Sequence, residues 1–361
     1  MSPREKSISP ARPQLEENLY RVAIVGAGTL KGKELKEVLE DRHFPAIDTK
    51  LLDDDESLGQ LESVGDEATF IQRVSAQSLQ RVDFAFFASE ESFTRRHWEI
   101  ARDAGALVVD LSYVLEDEPQ SIVRAPWVEG ELESSAGLRP PADLDCRSVV
   151  IAHPAAVVLA LLLLRAQRLG RVRSTICTVF EPASEHGRRG MDELHEQTVN
   201  LLSFQQLPTG VFDSQVAFNL LARYGEKSHP TLQSVERRVL SHLEKVTYGH
   251  LALPALTLAQ APIFHSHVFN IYLELEAPVA VSDFTQALDG EHVVIARLAE
   301  DSPDNVNAAG QDDILVSVRR DARQENGFWL WAAADNLRVA AITAVDCAAA
   351  LARMRSKGPI Q

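Results

Sequence analysis

The stretch YRVAIVGAGTLKGKELKEVLEDR, Tyr20 to Arg42, decides the fold. Tyr20 to Gly26 is a short apolar run closed by glycine, the pattern of a parallel strand buried on both faces. Leu30, Leu35, Val38 and Leu39 then recur at helical spacing. Between them Gly26, Ala27, Gly28, Thr29, Leu30, Lys31 and Gly32 form a GxGxxxG turn. Glycines there let a backbone approach a pyrophosphate and leave helix N–H groups to bind it. A tight strand-to-helix turn without a ligand would read the same way.

The pattern repeats downstream. Leu51-Leu52 predicts a second strand, Val82–Ala88 a third, Ala106–Leu111 a fourth and Val149–Ala152 a fifth, with a helix over Trp98–Ala104. Strands alternating with helices imply a Rossmann-type, doubly wound parallel α/β sheet. The segment Glu116–Asp145 reads as a long loop rich in proline and acid. After Pro154 the pattern changes. Ala155–Leu169 predicts an apolar helix, Val172–Glu181 a strand, and Met191–Leu202 and Leu232–Leu243 further helices. Ile271–Leu275, Val293–Arg297, Ile314–Arg319 and Phe328–Ala333 predict an antiparallel sheet, Ser302–Asp313 a polar loop, and Asn336–Met354 a closing helix. The division expected is a disordered leader over 1–19, a Rossmann NAD(P)-binding-type domain over 20–154 and 336–361, and an α+β domain over 155–335.

Composition bounds the partners. The 361 residues carry a net charge of −16, with 45% hydrophobic and 24% charged residues, the balance of a globular protein. Phosphate backbones and anionic lipid repel such a chain, so neither nucleic acid nor a membrane surface is expected as a partner. Cys146, Cys177 and Cys347 are widely spaced and odd in number, which argues against a disulfide framework or a metal site and for reduced thiols in the cytoplasm. Asp53, with Asp54, Asp55 and Glu56 behind it, ends the second strand. It reads either as an acceptor for a nucleotide ribose or as part of a solvated acidic loop. Glu90 and Glu91 follow the third strand, where they would disfavour a diphosphate.

The motif order then resembles the aspartate-semialdehyde dehydrogenase family over nearly the whole chain. The anchors are VVDLSYVLEDE (Val108–Glu118), IAHPAAVVLALLL (Ile151–Leu163), SEHGRRGMDEL (Ser184–Leu194), APIFHSHVFNIYLEL (Ala261–Leu275) and WAAADNLRVAA (Trp331–Ala341). The resemblance implies a second domain that forms a homodimer, and an enzyme that uses NADP and phosphate to interconvert aspartyl phosphate and aspartate semialdehyde. It also implies where the chemistry should sit. The family's cysteine nucleophile, in a Pro-Asn-Cys turn opening a helix, falls on Ala156, whose methyl group forms no covalent intermediate. The general base falls on His267, which reads as a retained, hydrogen-bonded structural histidine or as that base. The substrate arginine is Gln260, the phosphate arginine is Glu116, the strand-end glutamine is Glu181, and the glycine loop beside the nicotinamide is Ser184-Glu185-His186-Gly187. Asp192 and Glu193 read as acids in the first turn of a helix, and Arg188 and Arg189 read either as their partners or as solvent-exposed. Tyr113, Trp127, Trp329 and Trp331 read as packing residues.

Together these departures imply a relative inactive in the parent reaction. Such a protein would be a dinucleotide-binding or regulatory homodimer, or the associate of an active paralogue. The alternatives are an active NAD(P)-dependent semialdehyde dehydrogenase, and a dimer that binds nothing small. If a dinucleotide binds, NAD is favoured over NADP, because acids at 53–56 repel a 2′-phosphate. The alternating Ile271, Leu273, Leu275, Phe328, Leu330 and Ala332 predict one apolar face, offered either to a partner subunit or to the helices of the same chain.

Overall fold

In a computed structural model, residues 19–53, 57–64, 67–139, 146–296 and 302–354 are described; residues 1–18 of the expected leader and Asp54–Glu56 lie outside them. The first domain runs β1 (Tyr20–Val25), α1 (Leu30–Asp41), β2 (Ala46–Asp53), β3 (Leu61–Val64), β4 (Glu67–Phe70), β5 (Gln72–Arg73), β6 (Phe84–Phe87), α2 (Glu91–Asp103), β7 (Leu107–Asp110), β8 (Ser121–Arg124), α3 (Pro126–Ala136), β9 (Ser148–Ile151) and α4 (Pro154–Gln167). Seven of these strands form a parallel sheet in the order β5-β2-β1-β6-β7-β9-β8. β3 and β4 form a separate hairpin. The doubly wound expectation therefore holds. The expected loop over Glu116–Asp145 does not: it carries β8 and α3, with Pro126 at the first turn of the helix, where its missing N–H costs nothing. Residues 140–145 lie outside the described set.

The second domain continues with β10 (Val172–Glu181), a 3-10 turn (Ala183–His186), α5 (Gly187–Leu202), α6 (Leu232–Val246), β11 (Ala255–Gln260), β12 (His267–Leu275), α7 (Val281–Leu288), β13 (Val293–Ile295), α8 (Asn305–Ala308), β14 (Ile314–Arg320), β15 (Gly327–Ala334) and α9 (Asn336–Met354). Its sheet runs β11-β10-β12-β15-β14-β13. It is mixed rather than antiparallel, because β10–β11 and β13–β14 pair in parallel. The polar loop expected over Ser302–Asp313 contains α8, capped by Asp304. α9 returns to the first domain, where Arg338 bonds Glu34 and Asp41 of α1, as well as Asp312. Among the described residues no helix is long and apolar enough to cross a membrane.

The face of this sheet reads opposite to one of the sequence expectations. Ile271, Leu273, Leu275, Phe328, Leu330 and Ala332 are buried inside the subunit. Phe328 stacks on Phe284 of α7 at 3.9 Å between centroids. These residues do not face a partner; the helices of their own chain cover them. The opposite face carries Thr178, Phe180, Tyr272, Trp329, Ile176 and Trp331, the last two 55% and 38% exposed. Alternation fixed the period of the strands but not which face the helices take.

Two glycines of the first turn are sterically required. Gly26 has φ +88°, and a Cβ there would lie 2.7 Å from the backbone of Ser89. A Cβ on Gly32 would lie 2.1 Å from the Gly26 carbonyl oxygen. Gly130, exposed in α3, meets nothing within 4 Å. Gly32→Ala is expected to destabilise the chain by about 3 kcal/mol through overpacking. Gly130→Ala is expected to stabilise it by about 1 kcal/mol through helix propensity. Urea unfolding of both variants checks this, and equal midpoints would contradict the packing of the turn.

Candidate functional site

The turn after β1 is tied down from three sides. Thr29 caps α1, its hydroxyl accepting from Gly32 N–H at 2.9 Å and lying 2.8 Å from the carbonyl oxygens of Gly26 and Ala88. The Gly26 and Ala27 N–H groups donate to Leu52. Gly28 N–H donates to the Asp53 carboxylate at 2.6 Å, and a Cβ on Gly28 would meet the Ser57 hydroxyl at 2.4 Å. Asp53 is thus buried against the glycine turn rather than solvated. Leu30 and Lys31 occupy the first two helical positions, whose N–H groups have no acceptor inside the helix and are the ones available to an anion. Gly26, Ala27, Gly28, Thr29, Leu30, Gly32 and Asp53 therefore form one connected locus. Glu91, half exposed, lies 3.6 Å from Arg238.

Lys31 links this turn to a second, buried locus. Its ammonium donates to the Leu111 carbonyl at 3.3 Å and sits 5.0 Å from the Tyr113 ring centre. The turn after β7 is built by Asp110, whose carboxylate accepts from Ser112 N–H, the Ser112 hydroxyl and Leu115 N–H at 2.6–2.9 Å. That turn holds Tyr113 at φ +67°. Tyr113 stacks on His153, and His153 lies against His267, with 5.5 and 5.6 Å between centroids.

Ala156 sits in the first turn of α4, fully buried. His153 caps that helix, its Nδ1 accepting from Ala155 N–H at 3.2 Å. The His153 backbone N–H donates to His242 Nδ1 at 2.9 Å. The His242 proton must then be on Nε2, which donates to Glu116 at 2.9 Å. Arg238 donates its Nε to both Glu116 oxygens at 3.1 Å. The acid at the position of the family's phosphate arginine is therefore paired within the chain, by two residues of α6 that sequence reasoning missed. Their only signal was an Arg-x-x-x-His spacing on a predicted helix.

Gln260 is equally enclosed. Its amide donates to the carbonyls of Glu181 and Ala261 at 2.9 and 2.8 Å, and its oxygen accepts from the Tyr224 hydroxyl at 2.8 Å. Tyr224 in turn lies 3.0 Å from His186 Nε2, which must be the donor there. Glu193 is no partner of Arg189; it is buried and accepts from Val211 and Phe212 N–H, pinning the segment that carries Tyr224. Asp192 pairs with Arg188 at 3.5 Å, one turn further into α5 than expected.

His267 is buried as expected but not hydrogen-bonded as expected. Its Nε2 lacks a hydrogen-bond partner among the described residues, with Glu185 the nearest charge at 3.7 Å. Burial would raise the Glu185 carboxyl, but Lys31, His267, His153 and the Asn336 amide hold it down at about 2. Burial, then the neighbouring charge of Glu185, pushes Glu181 well up. Burial pushes His186 down to about 4 and lowers His153, His242 and His267 as well.

A family model described as "Semialdehyde dehydrogenase, NAD binding domain" matches residues 21–136, and one described as "Semialdehyde dehydrogenase, dimerisation domain" matches residues 161–339. A USG-1 protein homolog from Pseudomonas aeruginosa is 32% identical over 327 residues, covering 90% of this chain and 95% of that protein. An aspartate-semialdehyde dehydrogenase from Rickettsia bellii is 27% identical over 343 residues, covering 91% and 96%. A solved structure described as a probable aspartate-semialdehyde dehydrogenase from Pseudomonas aeruginosa superposes with a TM-score of 0.81 at 30% identity, covering 93% of this chain and 99% of that one.

Histidines with depressed folded values take up protons on unfolding. They therefore contribute stability above the unfolded value near 6.5, and that stability is lost as pH falls toward the folded values. Glu185, also depressed, loses its contribution only below pH 4.5, toward about 2. The histidine contribution to the urea midpoint should thus fall between pH 6.5 and 4, with a slope of about 1.4 kcal/mol per pH unit for each histidine that protonates on unfolding. Glu181, Asp110, Glu34 and Asp346, whose carboxyls burial raises, slope the other way, so the histidine rings are followed directly by NMR titration, and rings that protonate at or above pH 6.5 in the folded protein would contradict the lowered values.

Proposed function

The chain belongs to the aspartate-semialdehyde dehydrogenase family, and from that premise we propose that it is a dinucleotide-binding homodimer that has lost the family's covalent reaction. One observation carries this reading: Ala156, at the buried first turn of α4, presents a methyl group where the resemblance places the nucleophile. No thiol replaces it. Cys146 donates to the Ser148 carbonyl, Cys177 lies in β10 and Cys347 in α9, all buried. Burial raises the pKa of the Cys177 and Cys347 thiols, the reverse of what a nucleophile needs.

The anion sites support the same reading. Arg238 is already engaged by Glu116, and Gln260 is turned into its own backbone, so neither is disposed to receive a phosphate or a substrate carboxylate. The expected outcome is no phosphate-dependent reduction of NAD or NADP with aspartate semialdehyde above background. Ala156→Cys alone should not restore it. A turnover number that survives repurification and disappears in His267→Ala would refute the proposal and favour an active dehydrogenase.

The first domain takes a nicotinamide dinucleotide at the β1–α1 turn, NAD in preference to NADP. The buried Asp53 carboxylate beside Gly28 suits a ribose hydroxyl and repels a 2′-phosphate. Calorimetric titration with both dinucleotides tests this, and tighter NADP binding would reverse it.

The homodimer uses the outer face of the second sheet, where Ile176, Phe180, Tyr272, Trp329 and Trp331 stand together. A two-fold interface there would bury on the order of 2,000 Å². Sedimentation equilibrium should give twice the chain mass at micromolar concentration. The double variant Ile176→Glu, Trp331→Glu should give the single-chain mass. A wild-type monomer would overturn the assembly.

A further inference from the structure

Resting on the loss of acyl chemistry argued above, we infer that the buried locus beside Ala156 has become a binding site for a small primary amine in its ammonium form. Three observations converge there. Glu181 and Glu185 are buried carboxyl groups, and among the described residues no lysine or arginine forms an ion pair with either. Buried acids are ordinarily paired with a cation or metal. Lys31 of α1 lowers both carboxyls through its charge, but its ammonium bonds the Leu111 carbonyl and sits over the Tyr113 ring rather than on either acid. Arg238 spends its guanidinium on Glu116.

The second observation is independent of charge. Glu181 Oε2, Tyr113 Oη, Ser266 Oγ and His267 Nε2 are buried polar atoms without a hydrogen-bond partner among the described residues. Such atoms each cost on the order of 1–3 kcal/mol and are few in native proteins. They belong to one neighbourhood: Glu181 and His267 are the next residues beyond the Phe180–Val268 pair that joins β10 to β12. Asn336 bonds both Glu185 and the Ser266 backbone N–H, His267 lies 3.7 Å from Glu185, and the stacked rings of Tyr113, His153 and His267 close the other side.

The third observation decides the kind of cation. Among the described residues no three histidine, cysteine or carboxylate side chains are placed to hold a metal ion. A group that donates hydrogen bonds is needed instead, and an ammonium offers three. The same residues disfavour the anionic acyl phosphate that the resemblance would have placed here, because Glu181 and Glu185 would repel it.

Burial raises the Glu181 carboxyl, so binding should shift it toward the carboxylate that accepts from the ammonium, with any proton released passing to the buffer. The test is thermal unfolding and calorimetry at pH 7.5 with methylammonium chloride. Tetramethylammonium chloride, which carries the same charge and no donor, and sodium, magnesium and calcium chlorides serve as comparisons. Methylammonium alone should raise Tm, on the order of 5 °C at a hundredfold excess over Kd. Its binding enthalpy should vary with the ionisation enthalpy of the buffer, reporting net proton release. Glu181→Gln keeps the shape and should lose both the shift and the proton. Tyr113→Phe, which removes only the hydroxyl, should weaken binding severalfold and leave the proton release intact. An equal response to all the salts, a divalent ion giving the larger shift, or a full response in Glu181→Gln would overturn the site. Turnover in the dehydrogenase assay would refute the earlier reading whatever the amines do. An absent amine effect in a chain that also shows no turnover would overturn the amine site alone.

Discussion

Helix α4 is apolar on every side, and a helix without a polar face must be wrapped by protein all round. Every residue from Pro154 to Ala166 is buried. Each of its leucines contributes about 2 kcal/mol by leaving water. That demand is met by elements from both halves of the chain: α3 and α9 on one side, α6, α7 and β10 on the other. The one strong charge in the run, Arg165, is held by Glu131 of α3 and by the carbonyls of Leu288 and Glu291. A buried arginine satisfied from both domains fixes how they meet.

Once α4 is enclosed, its first turn is enclosed with it. This is why Ala156, His153 and His242 sit in a medium where unpaired polar groups are costly. The low dielectric explains the contrasts among the titrating groups. Burial lowers four histidines, Lys31 and the Asn336 amide help hold Glu185 down, and burial and the charge of Glu185 drive Glu181 toward its protonated form. Two carboxyl groups so close cannot both ionise without a counter-charge. A site of this composition suits recognition of a cation better than stabilisation of the anions that acyl transfer generates.

Much of this was legible in the residues themselves. The glycines of Gly26–Gly32 required a tight turn, and both the close approach at Gly32 and the positive φ at Gly26 are steric consequences of that local order. The apolar run after Pro154 required burial. An alanine at 156 lacks a nucleophile in any fold. These conclusions depend on chain-local quantities: spacing, side-chain chemistry and hydrophobic period.

Tertiary structure decided what local quantities leave open. β8 and α3 were hidden in a stretch whose prolines and acids resemble a loop. Period-2 alternation marks two faces without saying which one helices will cover, so Phe328 and Ile271 went inward and Trp331 and Ile176 outward. Glu116 meets His242, 126 positions away, and no sequence pattern records a hydrogen bond across that distance. The sequence by itself determined the parallel α/β core, the glycine turn and the alanine at 156. The packing of distant elements alone decided that Glu116 is neutralised from within, that Gln260 faces its own backbone, and that Glu181, Tyr113 and His267 are left with polar atoms unpaired, because pairing in a buried site is set by which side chains the fold brings together.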